Sequence, residues 1–391
     1  YYPEQFRIND ICEELRKKGH DITVLSGIPN YPEGKIYSGY ENRFRECHNG
    51  INIYRCNNRP RYSGTLNLMR NYISFVRCAN KYISKMGNIY DCVFVYELSP
   101  ITMAIPAVKY KKKYKKPVYL YCLDIWPESV RDLGNRKPMS LYNPIYLIAK
   151  GISKWILKNV DLIGVKCPEF IGYLKQVCDV PANKIVTLYE HAESVYLSVK
   201  ETVEKNNCYN FMFLGNIGVS QICETIVEAA SKIASTKEFK IHFVGDGSCI
   251  ENLKQCVIDY KMEDRVRFWG RHPVSEITKF YEMADCCLLT LSDNSMSGLT
   301  LPGKLTSYMA AGKPVIAAAS GASKEIIAEA QCGNCVKPYD IEALAKVMQD
   351  AMENVDIYKQ YGRNGRRYFM EHFTIDMFIE KLTAQLEGLV N

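Results

Sequence analysis

Short runs of Val, Ile, Leu, Phe, Cys and Tyr alternate with amphipathic stretches along almost the whole chain, and the pattern occurs twice. In the first half Asp21–Ser26, Asp91–Tyr96, Pro117–Cys122 and Leu162–Val165 are brief apolar runs bounded by turn or charged residues. Runs of this length and composition read as strands buried on both faces. Helical spacing separates them, as in Ile8–Lys18, where Ile8, Ile11 and Leu15 make one apolar face. Strands that alternate with helices form βαβ units around a parallel sheet. After a polar stretch, Ser194–Asn207, the pattern restarts. Phe211–Leu214, Lys240–Val244, Val266–Trp269, Cys286–Leu291 and Pro314–Ala318 read as strands, with helices such as Glu224–Ala234 and Ser248–Tyr260 between them. The expected architecture is α/β: two Rossmann-like halves, closed by helices through Leu389. Ligands then have two natural places, beyond the carboxyl ends of each sheet and in the cleft between the halves. The chain opens at Tyr1 in what reads as a loop before a helix, so a first strand is expected upstream.

Length and composition agree with two domains. The chain has 391 residues, 47% hydrophobic and 24% charged, which excludes wholesale disorder. No run approaches the roughly 18 apolar residues of a spanning helix, and the opening twenty residues are polar, unlike a secretory leader. The sixteen cysteines are scattered in a chain too large to need disulfide staples, which points to a reducing cytoplasm. Cys332 and Cys335 stand as one CxxC without a second pair or a His at zinc spacing. They read either as a metal or redox pair or as two core-facing thiols around a Gly-Asn turn.

The net charge of +7 is unevenly placed. Between Ile51 and Leu120 there are 13 Lys and Arg against two acids, Asp91 and Glu97, so this segment carries an excess of eleven positive charges. Leu66–Ile83 mixes Leu, Met, Ile, Phe and Tyr with Arg70, Arg77 and Lys81, and Val108–Pro117 is rich in Lys. A helix of this kind can lie on an anionic membrane surface. A solvated basic face is the simpler reading. No nucleic-acid motif accompanies the patch, so nucleic acid is not expected as a partner.

Several loops could carry chemistry. Phe213–Gly218 (FLGNIG) ends a strand and precedes a helix. Its glycines Gly215 and Gly218 let a ligand approach backbone, and a helix N-terminus favours a phosphate; a tight βα turn explains it equally. Phe243–Gly247 (FVGDG) follows the next strand, with Gly245 and Gly247 allowing a sharp turn and Asp246 placed to cap a helix. Ser297–Lys304 (SGLTLPGK) leads into another helix with Lys304 in its first turn, the unfavourable end for a cation unless an anion binds there. Cys122–Glu128 (CLDIWPE) places Asp124 at the carboxyl end of a buried strand, where α/β active sites form; helix capping is the plain alternative. Glu190, His191 and Glu193 cluster where the first half ends. The chain contains no Asp-x-Asp pair to clamp a divalent metal on a nucleotide diphosphate, no P-loop and no Gly-x-Ser-x-Gly elbow.

Taken in order, these residues resemble a known family. Tyr-Pro-Glu before Arg7, Lys17-Lys-Gly-His20, Glu97-Leu-Ser-Pro100, Leu123–Ser129, Leu214–Gly218, Val244–Gly247, Pro302-Gly-Lys304 and Tyr308–Ile316 together resemble the retaining family-4 nucleotide-sugar glycosyltransferases of the GT-B fold. Within them the chain is most similar to the group that builds bacterial capsule and O-antigen polysaccharides. The resemblance implies two Rossmann-like domains facing a central cleft: residues 1–192 for the acceptor, 193–368 for the nucleotide sugar, and a helix over 369–391 returning to the first domain. It implies metal-independent transfer without a cofactor, from a UDP-linked sugar to a polyprenyl-diphosphate-linked acceptor at the inner membrane face, with Asp124 and Lys304 as catalytic residues. Asp124 would orient or deprotonate the acceptor hydroxyl or steady positive charge on the sugar. Lys304 and the amides around Gly215–Gly218 and Ser297–Leu301 would stabilise the departing diphosphate. Gly215, Asn216, Gly218, Gly245, Asp246, Arg271, Leu301 and Ser307 would line the donor site, with Arg271 by the base. Arg7, Trp126, Glu128 and His191 would lie on the acceptor side.

The chain departs from the wider family where the donor is gripped. Aligned on Ala311-Gly-Lys-Pro314, the two customary Glu positions fall on Leu299 and Ser307, and the customary Arg and Lys fall near Asn216 and Gln221. Lys304 is then the cation that replaces the lost charge. Two other functions fit the same sequence: a sugar-nucleotide epimerase, and a non-catalytic membrane-associated polysaccharide-assembly protein.

Overall fold

The computed structural model describes residues 7–30, 34–62, 64–128, 143–200, 208–234, 237–293 and 300–391. The chain divides into two compact units. One comprises Tyr1–Leu188 and Ile379–Asn391, the other Tyr189–Phe378.

The first unit contains two sheets. In the three-stranded one, β1 (Thr23–Gly27) pairs in parallel with β3 (Ile51–Cys56), and β2 (Arg45–His48) pairs antiparallel with β3. The β2–β3 hairpin was not expected. It turns at Asn49-Gly50, both at positive φ (49° and 79°), the conformation that Asn-Gly adopts most readily between paired strands. The second sheet is parallel throughout, in the order β4 (Val93–Glu97), β5 (Val118–Cys122), β6 (Leu162–Val165), β7 (Ile185–Thr187). Every residue of β5 is buried, which is why its sequence shows no polar alternation. Around these strands run α1 (Ile8–Lys17), α2 (Thr65–Met86), α3 (Ile105–Tyr114), α4 (Pro144–Asn159) and α5 (Glu169–Cys178). Ile11 and Leu15 of α1 are buried, as their spacing predicts. Asn143 caps α4 by accepting from the Ile145 N–H at 2.9 Å, with Pro144 at the first helical position.

The second unit holds six parallel strands: β8 (Cys208–Leu214), β9 (Glu238–Val244), β10 (Val266–Gly270), β11 (Cys286–Thr290), β12 (Val315–Ala318) and β13 (Gly333–Val336). Their order is β10-β9-β8-β11-β12-β13, so the strand order reverses between β8 and β11. Its helices are α6 (Glu224–Ser231), α7 (Ile250–Asp259), α8 (Val274–Met283), α9 (Gly303–Ala310), α10 (Ala322–Ala330), α11 (Ile341–Glu353) and α12 (Val355–His372). The last helix, α13 (Ile375–Val390), carries Gln385, whose Oε1 accepts from the Tyr119 hydroxyl of β5 at 2.7 Å within the first unit.

The Cys332–Cys335 segment is not a turn. Gly333–Val336 is strand β13, where Gly333 faces Val315 in register; a Cβ there would lie 1.8 Å from the Val315 carbonyl. Cys332 is buried, Cys335 Sγ sits 3.4 Å from the Ala319 oxygen, and all sixteen cysteines are free. Among the described residues no helix is long and apolar enough to cross a membrane.

Candidate functional site

In a parallel sheet whose strand order reverses, the loops leaving the two strands at the reversal diverge and open a crevice beyond their carboxyl ends. Here those strands are β8 and β11. The loop after β8 is Gly215–Gln221, and the Ser292 N–H behind β11 donates to the Ser220 carbonyl at 2.9 Å. Helix α9 begins beside them. Its Tyr308 is fully buried and locks it in place, accepting from the Leu214 N–H at 3.1 Å, with the Leu214 and Leu288 carbonyls at 3.3 and 3.2 Å from its hydroxyl. This hydroxyl ties the helix to the end of β8 and to the middle of β11.

Lys304, the second residue of α9, is brought by this packing against the β8 loop. Its stem is partly exposed, but its Nζ is shielded from solvent and has no hydrogen-bond partner among the described residues. The ammonium lies 3.8 Å from the centre of the Phe213 ring, a favourable cation–π arrangement that supplies no acceptor. Burial pulls its pKa down to about 8, with the Cys223 thiol acting weakly the other way. Gly215, at φ +126°, stands directly against it: a Cβ there would lie 3.4 Å from Lys304 Cε and 3.5 Å from Nζ, in ordinary contact. An unpaired, desolvated cation at the start of a helix is an arrangement that an anion would complete.

The three loops after β8, β9 and β10 interlock. Gly215 N–H donates to Val244 O (2.9 Å), Ile217 N–H to Asp246 O (2.9 Å) and Gly245 N–H to Gly270 O (2.8 Å). A Cβ on Gly245, at φ +136°, would sit 1.9 Å from the Gly215 carbonyl. The Gly218 N–H and the Asn216 amide both donate to Gln221 Oε1, at 3.2 and 3.1 Å. This bears on the expectation that amides around Gly215–Gly218 stabilise a diphosphate. Three of the four are consumed in holding the loops together, which leaves the Asn216 N–H. The first amides of α9, at Gly303 and Lys304, are the helix's own unsatisfied donors.

Asp246 does not cap α7. Its Oδ1 accepts from the Gly247 N–H at 2.8 Å, while Oδ2 lies 3.6 Å from Arg271 Nε, with both side chains well exposed. Arg271, just past β10, is thus held at the same sheet end. Ser307 is buried, with its hydroxyl donating to the Gly303 carbonyl at 3.1 Å, and Leu301 is buried just ahead of the helix. Residues 297–299 lie outside the described residues.

The acceptor-side candidates divide. Asp124 and Trp126 follow β5, at the carboxyl end of the first unit's parallel sheet. Asp124 is partly buried, and its charge is felt by Tyr72 of α2. The Trp126 indole Nε1 is shielded and has no hydrogen-bond partner among the described residues, while its carbonyl accepts from Ser153 at 2.9 Å. Glu128 is turned into the fold. Its Oε1 accepts from the Tyr146 hydroxyl at 2.6 Å and from that of Tyr173. His191 is buried in the second unit, its ring 5.2 Å from that of Phe378. Arg7 precedes α1, with its carbonyl accepting from the Ile11 N–H. One group beside Asp124 had drawn no role from the sequence. Glu97, the last residue of β4, has no exposed surface, and nothing in its sequence neighbourhood signals that burial. Among the described residues, no cluster of three His, Cys, Asp or Glu could hold a metal ion.

The comparisons with known proteins fit this geometry. Residues 198–368 match the family profile described as Glycosyl transferases group 1. A relative named "Probable glycosyltransferase WbjE", from Pseudomonas aeruginosa, is 24% identical over 303 residues, covering 74% of this chain and 72% of that protein. Among solved structures, sucrose-phosphate synthase from Thermosynechococcus elongatus superposes with a TM-score of 0.74 at 17% identity, over 98% of this chain and 92% of the other. Anabaena Alr3699/HepE in complex with UDP-glucose gives 0.65 at 13% identity, over 87% and 86%. The matched segment and the shared architecture together support a glycosyltransferase of the GT-B fold.

Proposed function

We propose that the protein transfers a sugar from a nucleoside diphosphate sugar, UDP-linked, to a lipid-diphosphate-linked glycan in bacterial surface polysaccharide synthesis, with retention of anomeric configuration. The observation that carries the donor side is Lys304. Its shielded, unpaired Nζ lies against Gly215 at the point where the strand order reverses. Departure of a nucleoside diphosphate builds negative charge on phosphate oxygens, and a cation already stripped of water stabilises that charge without reorganisation. The Asn216 N–H and the first amides of α9 are the remaining donors. Arg271 and Asp246 would flank the nucleotide from the β9 and β10 loops. The related structure that holds UDP-glucose supports the choice of nucleotide.

On the acceptor side Asp124 would orient or deprotonate the incoming hydroxyl. Exposed Leu66, Met69 and Ile73 on α2, and Ile145, Leu147, Ile148 and Trp155 on α4, stand among Lys and Arg on the first unit. Helix α3, with its Lys residues, packs against both helices. Apolar side chains in a basic surround suit the face of an anionic bilayer, where a lipid-linked acceptor is found. The test is a thermal-shift titration with UDP, GDP and UDP-glucose, followed by nucleotide release with and without a lipid-linked acceptor. UDP should stabilise the wild type and not Lys304→Met. Donor converted to another nucleotide sugar without an acceptor and without net nucleotide release would favour an epimerase, and no binding of either nucleotide at millimolar concentration would sink the transferase reading.

A further inference from the structure

Helix α4 has two unlike faces. Tyr146, Ala149, Ser153, Ile156 and Leu157 are buried, while Ile145, Leu147, Ile148 and Trp155 are exposed. At about 100° per residue, Ile148 and Trp155 stand about 200° round the helix from Tyr146 and Ser153. The buried face holds the loop after β5. Ser153 Oγ lies 2.9 Å from the Trp126 carbonyl and 3.0 Å from that of Ala149, so its one proton is shared between the loop and the helix's own turn. The Tyr146 hydroxyl donates to Glu128 Oε1 at 2.6 Å, and the Tyr173 hydroxyl of α5 donates to the same oxygen. At the start of the loop the Cys122 thiol donates to the Asp124 carbonyl at 3.2 Å. The span Asp124–Glu128 is therefore fixed to the sheet where it begins and to α4 at its middle and its end. On the exposed face, Lys112 of α3 places its Nζ 4.9 Å from the centre of the Trp155 ring, which joins the basic surface of α3 to the apolar side chains of α4.

We propose that α4 is the bridge between an anionic bilayer and the Asp124 loop: its outer face lies on the lipid surface, while Ser153 and Tyr146 on its inner face are positioning residues that hold Asp124 and Trp126 one helix thickness away. Charge and shape select the occupant. Helix α4 carries Lys150, Lys154 and Lys158 and no acid, and the last turn of α3 adds Lys111, Lys112 and Lys113. Branched and aromatic side chains standing among lysines match the boundary between headgroups and acyl chains. A helix with its side chains is about 10–12 Å across, so a lipid-linked acceptor emerging from the headgroups meets the loop at a set height. Binding that stabilises α4 also raises the cost of opening any segment tied to it, so the loop tightens when α4 docks. The inference rests on the membrane face proposed above; the hydrogen bonds between α4 and the loop do not.

The test is hydrogen exchange followed by mass spectrometry, with phosphatidylglycerol vesicles, with phosphatidylcholine vesicles and with neither. It needs no donor and no acceptor. In the wild type, phosphatidylglycerol should slow exchange roughly tenfold when most of the protein is bound, both in peptides from α4 and in peptides covering 122–128, and phosphatidylcholine should slow neither. In the double variant Ser153→Ala, Tyr146→Phe the α4 peptides should still be protected and the 122–128 peptides should not. Should the double variant not fold, Ser153→Ala alone should give at least a threefold smaller response in the loop. Protection of α4 with no response at 122–128 in the wild type, or an equal loop response in wild type and variant, would overturn the bridge and leave the membrane face standing. No protection of α4 by phosphatidylglycerol would overturn both. Protection that grows with protein concentration in the absence of vesicles would mean a second copy of the chain on this face, and the bilayer would be the wrong occupant. If the transferase assay succeeds, the double variant should lose turnover on a vesicle-borne acceptor with the KM for UDP-glucose unchanged.

Discussion

Lys304 illustrates how one side chain can record a ligand's chemistry. A lysine desolvated without an anion destabilises the folded protein, since its charged form is disfavoured there. Its folded pKa of about 8 lies below the ordinary 10.5. Between those values the unfolded chain binds more protons than the folded one, so stability rises with pH across that window, and below pH 8 the cost is fully present. The stability of the wild type relative to Lys304→Met should therefore climb between pH 8 and 10, by on the order of 2 kcal/mol, in urea unfolding followed by circular dichroism. A flat difference would mean an ordinary lysine. Bound UDP should reverse the sign, holding the proton on Lys304 and binding more weakly above pH 8. Lys304→Ala should slow turnover roughly ten- to a thousandfold, the scale of losing one oxyanion donor. The position of Lys304 in a first helical turn was legible in the sequence, because Pro302-Gly303 marks a helix start. Its loss of water was not, since that depends on Phe213 and Gly215, some ninety residues earlier.

At the scale of elements, the loops at the carboxyl ends of β8, β9 and β10 act as one block, and α9 is pinned to it through Tyr308. Tyr308→Phe leaves the Leu214 N–H without its partner in a buried place and should cost about 1–3 kcal/mol, measured by urea unfolding, while weakening UDP binding. An unchanged nucleotide affinity would show that α9 keeps its place without this tie. Gly245→Ala forces a Cβ to within 1.9 Å of the Gly215 carbonyl. It should destabilise more than Gly215→Ala, whose Cβ meets only the flexible end of Lys304. Equal destabilisation of the two would contradict the interlocking. The glycines were visible as turn signals, but a phosphate cradle and loop-to-loop packing demand the same residue, and only the hydrogen-bond partners tell them apart. The Asn49-Gly50 hairpin was legible and went unread, because the flanking Arg45–His48 is polar and lacks strand periodicity. Strand β13 was read as a turn because Gly-Asn favours turns in isolation; pairing with β12 overrides that preference.

For the whole molecule, the charge is +7 but the surface that matters is local. In the first unit the basic segment of α2 and α3 is continued by α4, whose Lys150, Lys154 and Lys158 have no acidic companion within the helix. Ile148→Glu combined with Leu66→Glu should reduce binding to phosphatidylglycerol vesicles, and 0.5 M salt should weaken the wild type as well, because screened charges attract less. Both residues are more than 60% exposed, so thermal stability should change by less than about 0.5 kcal/mol. Vesicle binding indifferent to both changes would remove the membrane face from the proposal. By itself the sequence determined that the chain forms alternating strands and helices twice over, because hydrophobic period is a local property that each segment carries alone. It also marked the strand ends where polar and glycine residues gather. The tertiary structure alone decided which of those residues lose water and which pair with each other. Phe213 and Lys304 are some ninety positions apart, yet the Lys304 ammonium lies 3.8 Å from the Phe213 ring. Its loss of water depends on what the packing of α9 brings beside it, and no local pattern encodes that contact.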